Sequence, residues 1–140
     1  MSNAVTRLKV IRVESFNSAH RLHNPTLSDE ENERVFGKCN NVNYHGHNYK
    51  LEVHVTGDVD PLTGYVIDLK ILKDIIKEEV LDKFDHKNLN LDVDDFKILN
   101  PTAENIAIVI YNKLKRKLGD AFDVLIHLHE TEKNSVIYPC

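Results

Sequence analysis

The clearest periodicity lies between residues 49 and 56, where Tyr49, Leu51, Val53 and Val55 alternate with Lys50, Glu52, His54 and Thr56. Period two is that of a strand with one face buried. From Leu8 to His20 the chain also reads as a strand, but the phase slips at Ile11 and Val13 before Phe16, Ser18 and His20 share a face. Such a slip predicts a bulge or a strand buried on both sides. A helix is predicted from Asp68, a suitable N-cap, to about Phe84, with Leu72, Ile75, Ile76 and Val80 as its apolar stripe. A second helix starts around Asn100-Pro101-Thr102, with the proline in its first turn, buries Ile106, Val109, Ile110 and Leu114, and ends at Gly119. Phe122, Val124, Ile126 and Leu128 alternate as a third strand, and Val136 to Tyr138 form a short fourth. The expected fold is α+β: a four-stranded antiparallel sheet in the order ββααββ, with two helices on one face. Both sheet edges read as long and unguarded, which favours edge-to-edge assembly. Residues 21–43 are polar and irregular, with a short helix start at Ser28-Asp29-Glu30-Glu31. A segment of that length inside a small domain points to a functional loop.

The 140 residues suit one domain spanning 1–140, and Ser2-Asn3-Ala4 reads as an expression-tag remnant. Lys and Arg total 18 against 22 Asp and Glu, a net charge of −4. There is no basic run, hence no electrostatic footprint for nucleic acid or an anionic membrane. No stretch approaches the ~18 apolar residues of a spanning helix, and no signal-peptide layout opens the chain. Two cysteines, Cys39 and Cys140, make no disulfide framework, so a reducing, cytoplasmic setting is expected. Eight histidines are many for this length, and they direct the search for function.

His45-Gly46-His47 precedes the cleanest strand and is in phase with its apolar face. Residues at i and i+2 point the same way, so both imidazoles can converge on one ion, with the intervening glycine leaving room for a close approach. His20, ending the neighbouring strand, is placed to give a third nitrogen. Three imidazoles suit Zn²⁺ and keep a fourth position for substrate. Two surface histidines beside a turn would read the same way. Cys39, in Gly37-Lys38-Cys39-Asn40-Asn41, is a candidate nucleophile or base beside that cation, a fourth ligand closing a structural site, or a small buried apolar group. Spacing does not choose among these.

Asp85-His86 follows the first long helix and fits either a carboxylate orienting a proton-handling imidazole or a pair at a helix end. Glu130 continues the inward phase of Phe122 to Leu128, which aims a carboxylate into the apolar face. There it is suited to grip an N–H-rich heterocycle edge, unless the strand ends first and leaves it solvated. His54 and His127 fall on the opposite face, His129 points away from Glu130, and His23 sits in the polar loop; none is assigned a role.

Together these residues resemble the 6-pyruvoyl-tetrahydropterin synthase family nearly end to end. The resemblance is carried by Phe16-Asn17-Ser18-Ala19-His20-Arg21-Leu22, Leu27-Ser28-Asp29-Glu30-Glu31-Asn32, Phe36 to Asn41 and His45-Gly46-His47-Asn48-Tyr49. Asp85-His86-Lys87-Asn88-Leu89, Thr102-Ala103-Glu104-Asn105 and Glu130-Thr131 complete it. The order of all of them is far more specific than any one.

The resemblance implies the tunnelling fold, in which three subunits join sheets into a barrel and two trimers stack as a homohexamer with sites between subunits. It implies that His20, His45 and His47 hold zinc, that Cys39 is the base, and that Asp85 and His86 relay charge to it. Glu130 would anchor the pterin edge, helped by Thr102 and Glu104. The implied reaction converts 7,8-dihydroneopterin triphosphate to 6-pyruvoyl-tetrahydropterin with loss of triphosphate, in tetrahydrobiopterin biosynthesis. Arg21, Lys38 and Lys87 are candidate triphosphate contacts. Two departures stand out: Tyr44 where a small residue is common, and His129 where an aromatic residue is common. Asn100-Pro101-Thr102 looks like the 6-carboxytetrahydropterin synthase branch of queuosine biosynthesis, which uses the same substrate, whereas the long Leu27–Asn41 segment looks like the pyruvoyl-forming branch. A third alternative, of another class, is a non-catalytic pterin-binding module with a structural zinc.

Overall fold

A computed structural model describes residues 4–140, so of the suggested tag remnant Ser2 and Asn3 lie outside the described residues and Ala4 is exposed. The sheet has five strands, one more than the periodicity shows. They are β1 (Arg7–His20), β2 (His45–Asp58), β3 (Lys87–Asn88), β4 (Asp123–His129) and β5 (Ser135–Tyr138). Their order is β3-β1-β2-β4-β5. All pairings are antiparallel except β3, which runs parallel to β1 at Ser18 and Ala19. A two-residue strand has no period to read, and its existence depends on where the preceding helix delivers the chain.

β1 and β2 pair without interruption from Arg7 opposite Asp58 to His20 opposite His45, so the predicted bulge is absent. The phase slip has another cause. Ile11 and Val13 face outward and are exposed, while Arg12 and Glu14 face the helix side. There the Arg12 Nε and Nη2 donate to Glu14 Oε1 at 2.9 and 2.7 Å, which satisfies both half-buried groups locally. The edges also differ from expectation. One ends in the four-residue β5, while the other is the flank of β1, which β3 covers only at Ser18 and Ala19.

The inward faces of β2 and β4 meet helices α2 (Leu69–Ile76) and α5 (Ala103–Leu118). Leu51, Val53, Val55, Ile126 and Leu128 are fully or almost fully buried against Leu72, Ile76, Ile106, Ile110 and Leu114. Each such side chain contributes roughly 1.5–3 kcal/mol by leaving water. Asp68 caps α2 by accepting from the Lys70 N–H at 2.8 Å, as its position suggests. The helix continues through a π turn at Lys77–Leu81 into α3 (Asp82–Phe84), which delivers buried Phe84 onto Phe16. A further turn, α4 (Leu89–Asp92), follows β3. Thr102 is the N-cap of α5, accepting from Asn105 N–H at 3.1 Å, so Pro101 precedes the helix rather than lying in its first turn. Gly119, at φ +81°, ends α5.

Residues 21–43 are more ordered than their polarity suggests. Ser28 caps α1 (Asp29–Phe36), and a 3₁₀ turn at Gly37–Asn40 follows. Asn32, fully buried, gathers the loop by donating to the Asn24, Leu27 and Ser28 carbonyls and accepting from the Asn24 N–H.

Candidate metal and active site

At the open end of the β1–β2 ladder, His45 lies opposite His20 and His47 opposite Ser18. All three imidazoles therefore emerge on the helix-side face, with ring centroids 4.5, 5.1 and 5.0 Å apart. One ligand nitrogen from each lies within 4.8 Å of the others. The orientation of His20 is set by a backbone group: its Nδ1 is 2.7 Å from the Pro101 carbonyl, which can only accept. The proton is thus on Nδ1 and the Nε2 lone pair faces the other two rings, the arrangement that tunes metal-bound histidines. Burial lowers the His20 pKa to about 4, with His45 and His47 adding to the effect. Burial, then His47, also lowers His45. His20 is therefore neutral at pH 7.

The residues fit a metal ion. The buried nitrogens His20 Nε2, His45 Nδ1 and Nε2, and His47 Nε2 have no hydrogen-bond partner among the described residues. So many unpaired buried ring nitrogens, at least one of them a lone pair on each of His20 and His45, are costly without a cation to receive the lone pairs. Cys39 is outside the convergent ligand group, which leaves three protein ligands, the pattern of an open site rather than a closed structural one. Gly46 does not provide access: it faces the opposite side, and a Cβ there would meet the Ser18 carbonyl at an ordinary 3.4 Å.

Glu130 reaches the same place from beyond the end of β4, its Oε1 3.8 Å from His47 Nε2. Its backbone N–H donates to the Asn134 carbonyl, so the turn after β4 keeps the inward phase although the strand has ended. Tyr49, fully buried next in line after His47, completes the wall. Burial pushes its phenol upward, and the charges of Glu130 and Cys39 push it further, so it stays protonated beside both. Cys39 sits in the 3₁₀ turn, whose Cys39 carbonyl accepts from Leu22 N–H and whose Asn40 carbonyl accepts from Arg21 Nε. Arg21 and Lys38 line an open pocket beside this turn, together with Asp29 and Glu33.

The other predicted residues are elsewhere. Asp85 and His86 pair at 2.9 Å, and Asp85 also accepts from the Asn17 N–H at 2.8 Å, which holds its carboxyl below the usual range. This pair sits at the β3 edge with the His86 side chain 82% exposed. No hydrogen bond or ion pair among the described residues joins it to Cys39 or the three histidines. Thr102 spends its hydroxyl on the α5 cap, and Glu104 is exposed in the first turn, although both follow the Pro101 carbonyl that holds His20. Two participants were missed: Tyr49, visible as the next in-phase residue after His47, and the Pro101 carbonyl, for which a backbone atom leaves no sequence signal.

Among the described residues two non-glycine residues adopt positive φ, Tyr44 at 68° and His86 at 60°. Each adjoins candidate chemistry, and a left-handed L-residue costs about 1–2 kcal/mol. Tyr44→Gly is expected to raise unfolding free energy by about 1 kcal/mol, read from urea denaturation. An unchanged midpoint would mean that tyrosine's packing offsets the strain.

The chain belongs to the 6-pyruvoyl tetrahydropterin synthase family, whose model matches residues 9–139. It is 48% identical to the 6-pyruvoyl tetrahydrobiopterin synthase of Poecilia reticulata, over 92% of this chain and 88% of that one. Identity to the Homo sapiens protein of the same name is 45%, over 93% and 90%. The solved structure of Caenorhabditis elegans 6-pyruvoyl tetrahydropterin synthase superposes with a TM-score of 0.90 at 45% identity, covering 95% of both chains.

Proposed function

We propose that this chain is a carbon–oxygen lyase that converts 7,8-dihydroneopterin triphosphate to 6-pyruvoyl-tetrahydropterin, releasing triphosphate, in tetrahydrobiopterin biosynthesis. The observation that carries the reading is the cluster of orphaned imidazole nitrogens with Glu130 3.8 Å from one of them. It pairs a cation site with a carboxylate suited to the amino-pyrimidine edge, and the relatives named above are 6-pyruvoyl tetrahydrobiopterin synthases.

His20, His45 and His47 would hold zinc, which when bound supplies Lewis acidity toward the substrate side chain. Glu130 accepts the paired N–H groups of the pterin and so fixes which carbon faces the site. Cys39 takes a proton from side-chain carbon and returns it to another atom, an internal redox change that needs no nicotinamide. Asp85 orients His86, and His86 relays charge to a Cys39 thiol. Because that pair stands exposed at a sheet edge, we place it against the Cys39 of a neighbouring copy in a homohexamer of two trimers. Thr102 and Glu104 flank the pterin in this assembly. A cytoplasmic location suits a free thiol in this role.

Mass spectrometry of the product tests the reading. Zinc-loaded protein given 7,8-dihydroneopterin triphosphate is expected to yield 6-pyruvoyl-tetrahydropterin and free triphosphate, with nearly all of that turnover lost in Cys39→Ala. A 6-carboxy-pterin with acetaldehyde would assign the chain to the carboxy-forming branch. Bound but unconverted substrate would make it a binding module.

A further inference from the structure

The open face of the sheet carries a second set of converging side chains, unconnected with the reaction. Glu52 of β2 is registered with His127 of β4, and Lys50 with His129. Residues 50, 52 and 54 and residues 125, 127 and 129 all point away from the helices. Glu52 Oε2 lies 2.7 Å from His129 Nε2 and 3.3 Å from His127 Nδ1. The two imidazoles lie side by side, tilted by 33° with ring centroids 4.1 Å apart. Side-chain exposures of 18–23% leave the group half-buried but open to solvent on one side.

We propose that Glu52, His127 and His129 form a second metal site, for a divalent first-row transition ion of the zinc type. The three ligand atoms already lie within 4.8 Å of one another. Tetrahedral coordination at ~2.0–2.2 Å needs donors about 3.3–3.6 Å apart. The Glu52–His127 separation lies at the lower end of that range, and the Glu52–His129 separation reaches it after opening by about half an ångström. Two imidazoles and a carboxylate suit Zn²⁺, Cu²⁺ or Ni²⁺ rather than Ca²⁺ or Mg²⁺.

The surroundings are those of ligands held in place. His127 Nε2 lies 2.9 Å from Ser135 Oγ, which leaves Nδ1 as the free donor. His54 Nε2 is 3.2 Å from Glu52 Oε1, the oxygen the metal would not use. The 2.7 Å contact with Glu52 has His129 Nε2–H donating to the carboxylate, so metal binding exchanges that proton for the ion. Lys50, opposite His129, is exposed and is the one Lys or Arg among the described residues registered with the group.

Equilibrium dialysis against Zn²⁺ with metal analysis decides the matter. The intact chain is expected to hold two zinc ions. His45→Ala/His47→Ala is expected to keep one, and His127→Phe/His129→Phe is expected to keep one. Glu52→Gln preserves size and hydrogen bonding, so it reports even if the double histidine variant fails to fold; at least a tenfold loss of second-site affinity is expected. Ser135→Ala should weaken that site by roughly tenfold or more. A single zinc that is lost in His45→Ala/His47→Ala and kept in His127→Phe/His129→Phe, or unchanged second-site affinity in Glu52→Gln, overturns the proposal; a single zinc with the reverse pattern supports it and overturns the three-histidine site instead. The stoichiometry is read without substrate, so it stands or falls independently of the reaction.

Discussion

Cys39→Ala is expected to lower kcat by about 10²–10⁴-fold, the usual contribution of a positioned acid–base group. Metal content and pterin affinity are expected to stay unchanged. The turn that carries Cys39 is held by backbone and neighbouring groups: the Cys39 carbonyl takes the Leu22 N–H, and the Asn40 side chain donates to the Leu22 carbonyl. Removing the thiol therefore leaves the turn in place. The convergent ligand group at the three histidines does not include Cys39, so retention of bound metal is expected. Metal analysis and pterin titration on the same preparation separate the possibilities. Lost zinc would make Cys39 a ligand; retained turnover would remove it from the proton path.

The second large effect concerns subunits rather than residues. Cys39→Ala and His86→Ala are each expected to be inactive, yet a co-refolded equal mixture should regain activity. His86 is turned out at the β3 edge by its positive φ and remains bound to Asp85, with no described link to the Cys39 of its own chain. If each site takes Cys39 from one copy and His86 from its neighbour, random mixing restores about a quarter of the sites, those whose two donors are both intact. Native mass spectrometry confirms that mixed oligomers form. Mixed oligomers without activity would place both residues in one chain's site and require the Asp85–His86 corner to move.

Much of this arrangement is legible in the residue pattern, for reasons that are local. The strict alternation from Tyr49 to Val55 places β2, and the same phase carried back to His47 and His45 places two imidazoles on the buried face. Asp68 and Ser28 cap where their side chains can reach the next N–H groups. What local pattern misses depends on partners. Ile11 and Val13 look like a break in phase because the inward Arg12 and Glu14 satisfy each other across two residues. β3 exists only because Phe84 docks on Phe16 and delivers Lys87 beside Ser18. The family resemblance names Asp85 and His86, but only three-dimensional placement shows them at an edge. Glu52, His127 and His129 look unremarkable singly, since their meeting depends on the β2–β4 register, which neither strand encodes alone.

The long unbroken β2 strand makes odd and even positions unequal. Odd residues from His45 to Val55 belong to the helix side, while Glu52 and His54 belong to the open side. Inserting or deleting a single residue near Asn48 would exchange these memberships on one side of the change, so one set of imidazoles would leave its partners altogether. Changes of two residues preserve parity and alter only depth along the strand. Length variation in this strand is therefore constrained to even steps, a rule of arithmetic imposed by the pleat on any descendant that keeps its chemistry.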